Sequence, residues 1–148
     1  MRIFVTLAAA LLISCAPAPP PAQQVTTDPT AEAGYALAIQ QVSTITRQAE
    51  ELVKAGKFAE ASALISQIQP LSNHLMEAPR PTLAALEATS DLDDLYGRVL
   101  MHNNRYGWAR DTFQKNVIRW KNQKPRTPDA ERRYKAALDA IAECDRHL

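Results

Sequence analysis

From Tyr35 to the C-terminus apolar side chains recur at intervals of three and four, and no stretch alternates apolar with polar as a half-buried strand does. A chain with that period buries its apolar surface by packing helix against helix. The expected fold class is therefore all-α, with helical hairpins packed as a small bundle of about five to seven helices. The 118 residues beyond position 30 are enough to bury one core.

Punctuation divides the period into elements. Asp28-Pro29 signals a start, and the stripe Tyr35, Ile39, Val42, Ile45, Ala49 and Leu52 runs until Gly56 stops it. Phe58, Ala61, Leu64 or Ile65, and Ile68 form a second stripe, expected to end at Pro70. Leu71 to Ala78 reads as a short helix before Pro79-Arg80-Pro81. Leu83, Leu86, Leu92, Leu95, Val99 and Leu100 resume helical spacing. Ser90-Asp91-Leu92-Asp93 looks like a capping box, so a break is expected near Ser90, with Asp91, Asp93 and Asp94 serving the cap and the helix dipole. Asn103-Asn104 makes a turn, and Tyr106, Ala109, Phe113, Val117 and Trp120 follow on one stripe. Thr127 as N-cap and Pro128 at the first helical position open a last helix, whose expected core stripe is Tyr134, Leu138, Ile141 and Leu148. Cys144 lies near that stripe and reads as a buried, inert thiol.

The N-terminus carries a different signal. Met1-Arg2, an apolar run from Ile3 to Ile13 and then Ser14-Cys15 follow the charged, hydrophobic and small-residue order of a secretory signal peptide. The run falls short of the ~20 residues needed to cross a bilayer, and Ala16-Pro17-Ala18-Pro19-Pro20-Pro21 cannot continue a helix. Leu12-Ile13-Ser14-Cys15 resembles the lipobox of bacterial lipoproteins at all four positions. That resemblance implies cleavage after residue 14, a diacylglyceryl group on the sulfur of Cys15 and acylation, including palmitate, of the new amino terminus. Two or three chains hold stably where one holds marginally, at ~0.8 kcal/mol per buried methylene. Ala16, where aspartate would signal inner-membrane retention, implies delivery to the outer membrane, with the body facing the periplasm. The organisation expected is a signal peptide at 1–14, the lipidated cysteine with a Pro-rich flexible tether at 15–30, and a helical domain at 31–148. Where polyproline-like, at ~3 Å per residue, the thirteen residues from Ala16 to Asp28 would reach up to ~40 Å.

Within the body, Gly56-Lys57-Phe58-Ala59-Glu60-Ala61 aligns with Asn104-Arg105-Tyr106-Gly107-Trp108-Ala109, 48 residues on. A turn residue, a base, an aromatic and an alanine fall in register, and Ile65 and Phe113 follow each alanine by four. This resembles the turn and second helix of a tetratricopeptide repeat, and Tyr96-Gly97 with Leu100 resembles its first helix. The resemblance implies a degenerate tetratricopeptide-like array as an alternative to a plain bundle. The sequence departs from the family in its period of 48 rather than 34, in Asp93 at the usual Trp position and in Gln48 at a usual Leu position.

Charge is segregated along the chain. Residues 28–97 hold four basic and ten acidic side chains, net −6, and residues 98–135 hold eleven basic and three acidic, net +8. Acidic and basic helices are expected to face one another or water; otherwise Arg105, Arg110, Arg119, Lys121, Lys124 and Arg126 offer a basic surface. Trp108 and Trp120 are twelve apart, about 120° out of phase on a helix, so Trp120 goes to the core stripe and Trp108 is free to be an exposed anchor. The candidate partner-binding residues are therefore Arg105, Trp108, Arg119 and Lys121.

For chemistry the sequence offers little. G-x-S-x-G, G-x-x-x-x-G-K-S/T and H-E-x-x-H are all missing, and four glycines cannot build a Gly-rich phosphate loop. His74, His102, His147 and Cys144 form no recognised ligand set, and Cys15, once lipidated through sulfur, could not pair with Cys144. No catalytic residue, metal or cofactor is expected, and a near-zero net charge argues against nucleic acid. The function expected is that of a membrane-anchored, periplasm-facing lipoprotein acting as a helical interaction or assembly module, pilotin-like or scaffold, with an envelope protein as partner. The alternative is a bundle that binds a small molecule or lipid.

Overall fold

The computed structural model describes residues 28–148, where a 3-10 turn at Pro29–Ala31 leads into five helices: α1 (Ala33–Lys54), α2 (Phe58–Met76), α3 (Leu83–His102), α4 (Tyr106–Asn122) and α5 (Pro128–Asp145). The fold is all-α. The signal-like segment, Cys15 and the tether up to residue 27 lie outside the described residues. Residues 28–30, read as the tether's end, already belong to the ordered body, because Asp28 caps the 3-10 turn by accepting from Thr30 N at 3.0 Å.

Contacts between helix ends show that each helix runs antiparallel to the one before. Tyr35 at the start of α1 donates its hydroxyl to the Leu75 carbonyl at the end of α2 (3.0 Å), and Phe58 at the start of α2 stacks on His102 at the end of α3. Arg110 near the start of α4 meets Asp145 at the end of α5. Helices α1, α3 and α5 thus point one way, and α2 and α4 the other. Helix α3 is central, packing on α1, α2 and α4, while α5 packs on α4.

The core has two parts. Val42, Ala49, Ile65, Leu75, Leu92, Leu95 and Val99 fill the space between α1, α2 and α3, and Leu100, Ala109, Phe113 and Cys144 fill that between α3, α4 and α5. Tyr96 touches both and joins them. Buried polar groups are paired: Trp120 Nε1 donates to Ser90 Oγ (2.8 Å), Asn116 Nδ2 to the Ser90 carbonyl (3.0 Å), and Ser72 Oγ to Thr89 Oγ1 (3.1 Å).

Three expectations are corrected. Pro70 does not end the second helix: α2 continues to Met76, because Ser72 and Leu75 beyond the proline are buried and Pro70 itself is exposed. Nor is there a break near Ser90. Helix α3 is continuous, its cap being Thr82, which accepts from Ala85 N, while Ser90 serves as the buried acceptor for Trp120. The stripe of α5 is also displaced. Ala130, Ala137 and Cys144 face inward and Ile141 of the expected stripe packs half-buried beside them, while Leu138 is 40% and Leu148 74% exposed, since small side chains let α5 close on α4. Thr127 and Pro128 open α5 as expected, with Thr127 Oγ1 accepting from Ala130 N at 3.1 Å.

The 48-residue offset holds in three dimensions. Gly56 (φ 74°) and Asn104 (φ 56°) both take the left-handed conformation that ends a helix. Lys57 N bonds the Leu52 carbonyl and Arg105 N the Leu100 carbonyl, each at 2.8 Å. Phe58 stacks on His102 and Tyr106 on His147, in each case a histidine at the end of the following helix, although the two histidines are 45 residues apart and not 48.

Part of the segregated charge is paired across the two halves, one pair of it buried. Asp91 and Asp93 from the acidic half pair with Arg133 and Arg119 from the basic half, and Asp94 pairs with Arg98 (3.0 Å) one turn along α3.

Candidate functional site

The turn at Asn103-Asn104 determines what surrounds it. Because Arg105 N is tied to the Leu100 carbonyl, α4 starts tightly against the end of α3, and Tyr106 packs inward on His147. Ala109, Thr112, Phe113, Asn116, Val117 and Trp120 then form the buried side of α4. Trp108, one residue before Ala109, is left outside at 68% exposure. Its carbonyl still accepts from Thr112 Oγ1 at 2.9 Å, so the backbone beneath the exposed ring belongs to a bonded helix.

Trp108 and Arg105 share an open depression of about 460 Å³ with Tyr96, Leu100 and Asn103 of α3. Tyr96, Leu100 and Asn103, the last being the C-cap just beyond His102, are spaced four and three apart, so they lie along one side of α3 and form a floor. An exposed indole beside a guanidinium over a partly apolar floor can take an apolar side chain flanked by a carboxylate.

The four candidate contacts divide accordingly. Arg105 and Trp108 are brought together. Lys121 is exposed but thirteen residues along the same helix from Trp108, about 20 Å away at 1.5 Å per residue, outside the depression. Arg119 is no surface residue: its side chain is 10% exposed, with Nη2 on Asp93 at 2.9 Å and Nη1 on Asn116 Oδ1. It neutralises a buried carboxylate, which is why α4 carries a base on its inner flank. The floor residues Tyr96, Leu100 and Asn103 were missed as a set, although their spacing next to the turn was a usable signal.

A second concavity, of about 390 Å³, lies between α1, α3 and α5. Around α3 its residues Asp91, Asp94 and Arg98 are roughly half a turn from Tyr96, Leu100 and Asn103, so the two concavities occupy opposite faces of that helix. Its lining is charged rather than apolar, with Arg47 and Glu50 from α1 and Arg132 and Arg133 from α5. Burial pushes the Asp94 carboxyl above the ordinary range, and Arg98 offsets this only in part. Asp91, Asp93 and Asp94, expected at a helix start, instead sit mid-helix as ion-pair partners.

The histidines stand apart. His74 pairs with Glu77, His147 with Glu143, and His102 lies on Phe58. Cys144 is fully buried, and burial raises its thiol above the ordinary value. Among the described residues no helix is long and apolar enough to cross a membrane, and no three ligating side chains gather as a metal site. No family model matches this sequence, and no curated protein or solved structure is significantly similar to it.

Proposed function

We propose that the chain is a lipoprotein of the bacterial envelope, anchored in the outer membrane through acylated Cys15, whose helical body docks a protein partner in the periplasm at the Arg105–Trp108 depression. The lipobox-like Leu12-Ile13-Ser14-Cys15 and the proline-rich residues after it support the anchoring. The paired hairpins and their shared turn geometry support reading the body as a degenerate tetratricopeptide-like array, pilotin-like or scaffold in role.

The observation that carries the docking reading is Trp108, a large aromatic 68% exposed at the mouth of a concavity and beside a base. Trp and Arg are the residues most often found to dominate interfaces, because each buries much surface and keeps a polar handle. The matching partner segment presents an apolar side chain next to Asp or Glu.

Replacing Trp108 and Arg105 together by alanine tests it. Both are exposed, so unfolding free energy is expected to change by no more than about 0.5 kcal/mol per site. Co-purification of the partner from gently solubilised membranes is expected to fall tenfold or more, as for loss of an interface hot spot of about 2 kcal/mol. Undiminished co-purification by the double variant would overturn the reading.

A further inference from the structure

The cleft between α1, α3 and α5 is lined by charge of both signs. Most of its charges are already paired: Arg98 uses Nε on Asp94, Arg133 bonds Asp91 and, outside the cleft, Asp129, and Arg132 bonds Asp129. Arg47 and Glu50, one turn apart on α1, take part in none of the ion pairs among the described residues and line the same cleft. The cleft thus presents one uncommitted group of each sign, with Arg98 also in its lining. A volume of about 390 Å³ is within the range of small-ligand sites, roughly 300–1,000 Å³. A wall with Leu95 as its one apolar side chain suits a hydrated, charged ligand rather than a lipid tail.

An anion alone would meet Glu50, Asp91 and Asp94 as well as the arginines, and a cation alone would meet the arginines. Only a ligand with both signs satisfies both walls. We propose that this cleft binds a small zwitterion, an ammonium and an oxyanion a few bonds apart, with Arg47 holding the oxyanion and Glu50 the ammonium. A carboxylate and a phosphate would serve equally as the oxyanion, so an amino acid and an aminoalkyl phosphate are the two sources to separate.

Calorimetric titration of the intact protein in non-ionic detergent, with alanine and with phosphoethanolamine, tests this. Inorganic phosphate and ethylamine serve as probes carrying one charge each. Saturable binding of one zwitterion, at least about tenfold tighter than either single-charge probe, is expected. The preferred zwitterion identifies the oxyanion. Arg47→Gln and Glu50→Gln are each expected to weaken that binding about tenfold or more, the loss of a charge-assisted hydrogen bond, at unchanged melting temperature. Trp108→Ala should leave it untouched, so this site and the docking surface can fail separately. Phosphate binding as tightly as either zwitterion, no saturable binding of any probe, or indifference to Arg47→Gln and Glu50→Gln would each overturn the proposal.

Discussion

A Cβ placed on Gly97 would stand 2.5 Å from Cζ of Phe113, so the glycine is there to let the Phe113 ring of α4 lie against α3. Forty-eight residues earlier the corresponding pair is Ala49 and Ile65, both fully buried. The two hairpins therefore exchange a methyl group on one helix for ring volume on the other. Gly97→Ala is expected to cost about 1–3 kcal/mol by overpacking, and Phe113→Ile in the same chain should recover much of it, as read by urea unfolding. Lack of recovery would mean that the two hairpins do not share this packing. At Asp93, burial pushes the carboxyl above its ordinary value of 3.8, and Arg119 pulls it back incompletely. A carboxyl raised in the folded state favours the fold below its unfolded pKa, and that contribution fades as pH rises through the raised value. Arg119→Met, which strands a buried charge, should therefore cost about 3 kcal/mol at roughly pH 7 and less when measured in acid, at roughly pH 4.5, because protonation of Asp93 relieves the stranded charge. Asp93→Asn, which keeps an acceptor but leaves Arg119 as a buried cation without its counter-charge, should also destabilise at roughly pH 7, and without relief in acid. An Arg119→Met loss equal at both pH values would place its cause in packing rather than charge.

At the scale of the helix, local signals held where they agreed with burial and lost where they did not. Thr127-Pro128 and Gly56 mark real ends, because no buried stripe crosses them. Pro70 marks none, since ending α2 there would leave Leu75 and Ser72 without the places they fill. The cost of keeping it is the missing hydrogen bond to the Ser66 carbonyl. Pro70→Ala should restore that bond and raise stability by about 1 kcal/mol or more, measured by thermal or urea unfolding. A fall in stability would show that α2 needs the proline's geometry to meet α1 and α3.

Across the whole body, the helices are not equally secured. Helix α3 is held on three sides, whereas α5 packs on α4, shares the Leu100 cluster through Cys144, and is tied to α3 at its other end by Arg133, which bonds Asp91 and lies 5.5 Å over the Trp120 ring. Arg133→Ala should therefore lower global stability by about 1–2 kcal/mol and reduce hydrogen-exchange protection of α5 far more than that of α1 and α2. Uniform loss of protection would mean that the five helices open as a single unit. The same arrangement separates two concavities by the thickness of α3, one aromatic and basic, the other carrying both signs of charge.

Much of this was legible before any coordinates. The three-and-four spacing dictates helices, the turn at Asn103-Asn104 and the cap at Thr127 delimit them, and the phase difference between Trp108 and Trp120 puts one outside and the other in the core. These are local properties, read from neighbours a turn or two away. What packing alone decided was partnership between distant residues. Arg119 looked like surface charge until Asp93, 26 residues earlier, took it inside. Asp91 and Asp94 looked like a cap until α3 ran through them, and α5 turned its alanines and Cys144 inward past Leu138. A stripe of small residues and a stripe of large ones have the same period on one helix. Only the neighbouring helix, by how closely it must approach, determines which of them is buried.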